Sequence, residues 1–173
     1  MLALIHAAGA AGADAVKMQW VSDPEQLIAR RHADGYLDAY RLLAWPVDWH
    51  GTFAEECHAL GLKYGCTSYL PADILEAHAL HLNVNRLTRP LYVSLGLGSS
   101  HEVAFKVLRR QINAIRLLRC VSAYPAPPES LMLQLLWGEE SRYRGLSDHT
   151  DPSLTWTGAL PVAAGASVIE AHL

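Results

Sequence analysis

Two histidines near the end of the sequence stand at the ends of two predicted strands. His149 ends the run Gly-Leu-Ser-Asp-His, and His172 ends the run Val-Ile-Glu-Ala-His. Because side chains alternate between the two faces of a strand, Ser147 shares a face with His149, and Glu170 shares one with His172. Two imidazoles, a carboxylate and a hydroxyl could therefore converge and bind a metal ion. A single histidine at a strand end is more often structural, so the residues alone leave both interpretations open.

Composition and charge indicate an ordinary globular protein. The 173 residues suit one domain over 1–173, and 51% hydrophobic with 18% charged residues argues against disorder. A net charge of -3, a pI near 6.3 and scattered basic residues exclude a broad basic surface for nucleic acid. Nucleic acid is therefore not an expected partner.

Cysteine usage and hydropathy predict a cytoplasmic protein. The three cysteines are spaced neither as a zinc knuckle nor as a disulfide framework, which indicates reduced core residues. No apolar run approaches the roughly 20 residues that span a bilayer, and the start lacks the pattern of a secretory signal. We expect no membrane association.

The hydrophobic pattern predicts an α/β fold in which repeated β/α units surround a mostly parallel sheet. Strands are predicted at 15–20, 62–69, 84–87, 91–95 and 115–122, followed by the two strands that carry the histidines. Helices are predicted at 1–12, 52–60, 71–82, 101–113, 130–137 and 154–164, and a loop at 22–35.

Four segments carry a resemblance to a known family. They are Ala-Asp-Ala-Val-Lys-Met-Gln at 13–19, Cys-Val-Ser-Ala-Tyr-Pro-Ala-Pro at 120–127, Gly-Leu-Ser-Asp-His-Thr at 145–150 and Gly-Ala-Ser-Val-Ile-Glu-Ala-His at 165–172. In order and spacing they resemble successive motifs of the sialic acid synthase family, which includes synthases of N-acetylneuraminate, legionaminate and pseudaminate. The resemblance implies a TIM-type (β/α)8 barrel that condenses phosphoenolpyruvate with an N-acetylated sugar such as N-acetylmannosamine, with release of phosphate.

The resemblance also implies roles for the two histidines and for the residues of a phosphate site. His149 and His172 match the family's metal ligands, and the implied cofactor is Mn2+ or Mg2+. Two imidazoles would leave coordination positions open for water and substrate, as a catalytic metal site requires. The residues that match the site for the phosphate of phosphoenolpyruvate are Lys17, Thr67, Ser94 and Ser147. A solvated lysine and locally capping hydroxyls are the alternative interpretation.

Three further positions match the family's contacts to the reacting molecules. By resemblance Gln19 orients substrate, and Ser122 and Tyr124 contact the reactants. Glu170 precedes His172 by two residues and shares its face, so it could orient ligands. Tyr124 could equally be a packed residue before the proline turn, and Glu170 could simply pair with a neighbour. In the family's reaction the metal polarises the sugar aldehyde, carbon 3 of phosphoenolpyruvate attacks it, water adds at carbon 2, and phosphate leaves.

The sequence departs from the family pattern in ways that predict an incomplete barrel. The family's first strand, with its Ala-Glu-Ile-Gly type motif, has no counterpart in this sequence. A Lys-Ile-x-Ser-Gly type segment between the family's fourth and fifth strands has none either. Arg86 stands near the position that the lysine of that segment would take. We also expect no counterpart of the last barrel helix or of the C-terminal antifreeze-like domain, and Arg119 replaces a histidine. A TIM barrel usually takes about 250 residues. We therefore expect seven strands and a seam that a homo-oligomer could protect.

Two functions follow from this pattern. The first is a compact synthase that keeps the metal and phosphate residues. The alternative is a catalytically inactive or fragmentary family member that binds phosphate and metal without turnover.

Overall fold

The chain divides into two compact units, Met1–Asn85 and Arg86–Leu173. The structure, a computed structural model, describes residues 1–31, 34–70, 72–73, 91–95, 115–138, 141–154, 156 and 158–172. The predicted strand 84–87, the predicted helix 101–113 and most of the predicted helix 71–82 lie outside the described residues.

In the first unit, helices precede and join two parallel strands. The elements are α1 (Leu2–Ala10), β1 (Ala15–Trp20), α2 (Pro24–Arg31), α3 (Leu37–Arg41), α4 (Trp49–Ala59) and β2 (Lys63–Ser68). β1 pairs with β2 in parallel, and Gln19 lies opposite Thr67. The predicted strand 15–20 is confirmed, and 62–69 is confirmed with one residue fewer at each end.

The two faces of β1 differ in burial, as its alternating sequence predicts. Val16, Met18 and Trp20 are buried in a core that also contains Ile5 of α1 and Phe53 of α4. Because neighbouring side chains of a strand point to opposite faces, Lys17 and Gln19 lie on the face away from this core. One face of β1 therefore stabilises the unit, and the other is left for polar contacts.

An aromatic cluster fixes the end of β1. The Trp20 Nε1–H donates to the Trp45 carbonyl at 3.0 Å. His50, fully buried, lies with its ring centroid 4.4 Å from that of Trp45, and its Nδ1 lies 2.7 Å from the Tyr64 hydroxyl. Burial raises the pKa of the Tyr64 phenol, so this hydroxyl stays protonated.

The predicted loop at 22–35 is wrong, because α2 occupies Pro24–Arg31. The Asp23 carboxylate accepts the Gln26 backbone N–H at 2.8 Å and caps the helix, and Pro24 stands at its first position. Leu27 and Ile28 are buried. Asp23 and Pro24 are a helix start signal that the sequence contains. The polar composition of the segment nevertheless favoured the prediction of a loop.

The described residues of the second unit form four parallel strands in chain order. Its elements are β3 (Leu91–Leu95), β4 (Ile115–Cys120), β5 (Tyr143–Asp148), α5 (Ala159–Ala163) and β6 (Val168–Ala171). Each strand pairs with the next along the chain. The predicted α/β fold with parallel sheets is confirmed, whereas the incomplete barrel over one domain stays a prediction.

Two predicted helices of this unit are corrected. The segment 130–137 forms two short 3-10 turns, Pro128–Leu131 and Leu133–Leu136, because Met132 between them takes a left-handed conformation with φ of 51°. Among the described residues of the predicted helix 154–164, Ala159–Ala163 alone form a helix.

The three cysteines form no disulfide bond with one another, and Cys57 and Cys120 are buried. None of the helices within the described ranges is long and apolar enough to cross a membrane.

The close approach of β5 to β6 at Gly145 yields a stability prediction. A Cβ atom at this position would overlap the Val168 carbonyl oxygen and lie 2.8 Å from its carbonyl carbon. Gly145→Ala should therefore lower the free energy of unfolding by about 1–3 kcal/mol, measured by urea denaturation. Gly51→Ala is the control, since a Cβ there meets nothing within 4 Å. Equal stability of the Gly145→Ala variant and the parent chain would contradict the close approach.

Candidate functional site

Ser147 lies at the centre of the polar face of the second unit. The register places it opposite Cys120 of β4 on one side and Glu170 of β6 on the other. The Ser147 hydroxyl donates to Glu170 Oε1 at 2.6 Å, and Ser147 is only 1% exposed. This short bond to a carboxylate holds both side chains in place.

The other face of the same strands forms the core. Leu146 packs there with Val121 and Leu131. Arg119, opposite Leu146 in the register, donates to the Ser130 carbonyl at 3.4 Å. Arg119, which stands where the family has a histidine, therefore lies on the face away from Ser147.

His149 is held from two sides just beyond β5. Its ring Nδ1 lies 2.8 Å from the Val121 carbonyl oxygen, and its own carbonyl accepts the Ala126 N–H at 2.7 Å. Because a carbonyl only accepts hydrogen bonds, Nδ1 carries a proton, and any lone pair of the ring is at Nε2. His149 is 9% exposed, so this orientation is fixed by its surroundings.

Asp148 shapes the turn that follows. Its Oδ1 accepts the Thr150 N–H at 2.9 Å and the Thr150 hydroxyl at 2.7 Å. Such a local carboxylate turn ends the strand and directs His149 back over the sheet. The Asp-x-Thr spacing is a sequence signal that could have identified Asp148 as a supporting residue.

Tyr124 brings the second histidine into the group. Its hydroxyl lies 2.7 Å from His149 Nε2 and 3.5 Å from His172 Nε2. The Tyr124 ring stacks on His149 with centroids 4.0 Å apart, and the two imidazole centroids are 5.1 Å apart. Ser147 Oγ also lies 3.4 Å from His149 Nε2, so the structure brings together the two imidazoles, this hydroxyl and, through it, the Glu170 carboxylate.

Ser94 and Ser122 lie outside this hydrogen-bonded group. Ser94 of β3 is opposite Leu118 of β4, and Leu118 comes two residues before Cys120, the partner of Ser147. Ser94 therefore lies on the same face of the sheet as Ser147, nearer to the start of the strands. Ser122 follows β4 with an exposed side chain. Among the described residues, no hydrogen bond joins either serine to the histidines.

Lys17, Gln19 and Thr67 lie together on the polar face of the first unit. Gln19 and Thr67 are directly opposite in the register, and Lys17 lies one row earlier opposite Gly65. Lys17 is exposed, and the other two are partly buried. A cation beside an amide and a hydroxyl suits an anionic ligand.

Sequence reasoning missed two groups around His149. The Val121 carbonyl sets its tautomer, and the Cys120 Sγ lies 3.8 and 3.9 Å from its two ring nitrogens. Neither contact has a sequence signal, because each depends on how the end of β4 lies beside the end of β5.

Two imidazole nitrogens near a carboxylate can bind a divalent cation or move protons.

Metal binding here would require more than protein ligands. Within the part of the chain that the structure describes, no three His, Cys, Asp or Glu side chains group as a metal-binding cluster. A pair of imidazoles would leave the other coordination positions to water or substrate.

A family model and curated relatives match this chain. The NeuB family model matches residues 71–173. The pseudaminic acid synthase of Helicobacter pylori is 29% identical over 209 residues, which cover 97% of this chain and 59% of that protein. The spore coat polysaccharide biosynthesis protein SpsE of Bacillus subtilis is 28% identical over 204 residues, covering 98% and 54%. The chain thus spans little more than half the length of these relatives.

Solved structures show the same fold. A sialic acid synthetase from Leptospira borgpetersenii aligns with a TM-score of 0.77 at 19% identity, covering 98% of this chain and 65% of that one. The SpsE structure from Bacillus subtilis aligns with a TM-score of 0.68 at 27% identity, covering 98% and 53%. The resemblance that the motifs predicted is confirmed by these matches. The NeuB family model matches more than half of the residues of this chain, and the chain therefore belongs to the NeuB family.

Proposed function

We propose that the chain carries the catalytic face of a synthase that condenses phosphoenolpyruvate with an N-acetylated sugar, N-acetylmannosamine or a related one. The product would be a nonulosonic, sialic-type acid, and phosphate would be released. The observation that carries the proposal is the convergence of Ser147, His149, Glu170 and His172, in a chain of the NeuB family. The relatives named pseudaminic acid synthase support a product of this class.

We also propose that the described strands belong to an incomplete (β/α)8-type barrel that acts in the cytoplasm. The parallel pairing within each unit and the likeness to solved structures over 98% of the chain support the fold. The cysteines, which form no disulfide bond with one another, support the location.

The residues present fit a divalent metal ion held by His149 and His172. The Nδ1–H of His149 donates to a backbone carbonyl, as in most metal-bound histidines, and Nε2 is left to coordinate. When bound, Mn2+ or Mg2+ would supply Lewis-acid polarisation of the sugar aldehyde oxygen.

The polar groups of the sheet faces would hold the reactants. We assign the phosphate of phosphoenolpyruvate to four residues, because a cation and several hydroxyls suit a multiply charged anion. They are Lys17, Thr67, Ser94 and Ser147. Gln19, Ser122 and Tyr124 would contact the reactants. Glu170, held by the Ser147 hydroxyl, would accept a proton at its carboxylate.

The proposed reaction balances with one water molecule. Carbon 3 of phosphoenolpyruvate attacks the aldehyde carbon and forms the new carbon–carbon bond, and the aldehyde oxygen takes up one proton to become a hydroxyl. Water adds at carbon 2 and gives one proton to the carboxylate, which replaces the proton that the aldehyde oxygen took up. The bond between carbon 2 and the phosphate oxygen then breaks, the hydroxyl proton at carbon 2 goes to the departing phosphate, and the 2-keto acid remains.

Binding of phosphoenolpyruvate tests the role of Lys17. Lys17→Met should weaken binding about tenfold in calorimetry, because a charge-assisted contact to phosphate is lost. Lys63→Met is the matched control, since Lys63 is an exposed lysine of the neighbouring strand and lies opposite Ala15, one row earlier. If both variants weaken binding equally, the specific role of Lys17 is wrong.

Turnover tests the proposed function itself. The chain is incubated with phosphoenolpyruvate, N-acetylmannosamine or a related N-acetylated sugar, and Mn2+, and phosphate and 2-keto acid are both measured. We expect equal amounts of the two products, dependent on both substrates, and a loss of at least about 100-fold in His149→Ala. His58→Ala, an exposed histidine of α4, should keep full activity.

Two outcomes would contradict the proposed function. Phosphate release without a 2-keto acid would indicate hydrolysis of phosphoenolpyruvate. Binding of metal and phosphoenolpyruvate without any product would assign the chain to the non-catalytic alternative.

A further inference from the structure

The Tyr124 hydroxyl lies beside both nitrogens that a metal ion would need. It is 2.7 Å from His149 Nε2 and 3.5 Å from His172 Nε2. The Tyr124 ring stacks at 24° on His149 and stands edge-on, at 83°, to His172. A single oxygen atom therefore occupies the position that both imidazoles face.

The hydrogen bond to His149 has a fixed direction. Since Nδ1 donates to the Val121 carbonyl, a neutral His149 has only a lone pair at Nε2. The Tyr124 phenol must then be the donor. One lone pair cannot accept this hydrogen bond and coordinate a metal ion at the same time.

Tyr124 can leave this position by a side-chain rotation. Its side chain is 67% exposed, so little buried area is lost when the ring turns away. The backbone around it is held, because Val121 is buried beside His149 and the Ala126 N–H donates to the His149 carbonyl at 2.7 Å. Movement of the hydroxyl requires no movement of the histidine.

We propose that Tyr124 competes with the metal ion for His149 Nε2 and thereby sets the metal affinity of the site. The inference rests on the proposed function, in which His149 and His172 bind a divalent cation. Before the ion binds, the Tyr124 hydroxyl occupies His149 Nε2, while the Val121 carbonyl keeps the tautomer that coordination needs. When the ion binds, the phenol is released to face the solvent side of the site, where a substrate hydroxyl could meet it.

The competition predicts that removal of the hydroxyl strengthens metal binding. Tyr124→Phe keeps the stacked ring and loses the donor, so its Kd for Mn2+ in calorimetry should fall about three- to tenfold relative to the unsubstituted chain. Tyr143→Phe is the matched control, a tyrosine of β5 in the same unit, and should leave the Kd unchanged. Near-ultraviolet difference spectra give a second readout, because Mn2+ should perturb a tyrosine in the unsubstituted chain and in Tyr143→Phe but not in Tyr124→Phe.

The outcomes separate this inference from the proposed function. Weaker binding by Tyr124→Phe would show that the hydroxyl is a ligand or a support of the metal and would overturn the competition. Equal binding by both proteins would leave the metal site standing and overturn only the role of Tyr124. If neither protein binds Mn2+, the metal site is wrong and the inference falls with it.

Discussion

The pairing of β5 with β6 is the constraint on which the candidate site depends. Gly145 lets the two backbones approach so closely that no side chain fits there, and the register that follows places Ser147 beside Glu170. A slip of β6 by one residue would turn Glu170 to the core face, away from Ser147, and would turn Ile169 away from the core. The 2.6 Å hydrogen bond between Ser147 and Glu170 is thus a consequence of the strand pairing as well as a contribution to it.

The buried end of β5 adds orientation to this register. His149 is held by the Val121 carbonyl and the Ala126 N–H, and Asp148 closes the turn around it. A buried polar side chain without partners would destabilise the fold, so these contacts serve stability and preorganisation together. What remains available to chemistry is the Nε2 edge of the ring, where Tyr124 and His172 lie.

Much of this arrangement was predictable from local patterns, and its details were not. Alternation gave β1 and β3 with correct bounds and the shared faces of Ser147 with His149 and of Glu170 with His172. The helix α2 was missed although Asp23 and Pro24 signal its start, because a polar segment was taken for a loop. The contacts of the Tyr124 hydroxyl and of the Val121 carbonyl with His149 could not be predicted, since they depend on how the segment after β4 folds over the end of β5. The motifs predicted the family, whereas the roles of the site residues stay predictions.

Direct coordination of Mn2+ by both histidines is the central claim, and electron spin echo spectroscopy of the bound ion tests it most directly. The account predicts nitrogen modulation from two imidazoles in the unsubstituted chain. It predicts one imidazole in His172→Ala and none in the His149→Ala, His172→Ala double variant, with the exposed His58→Ala as an unaffected control. Bound Mn2+ without nitrogen modulation, or with the same modulation in the double variant, would contradict the account.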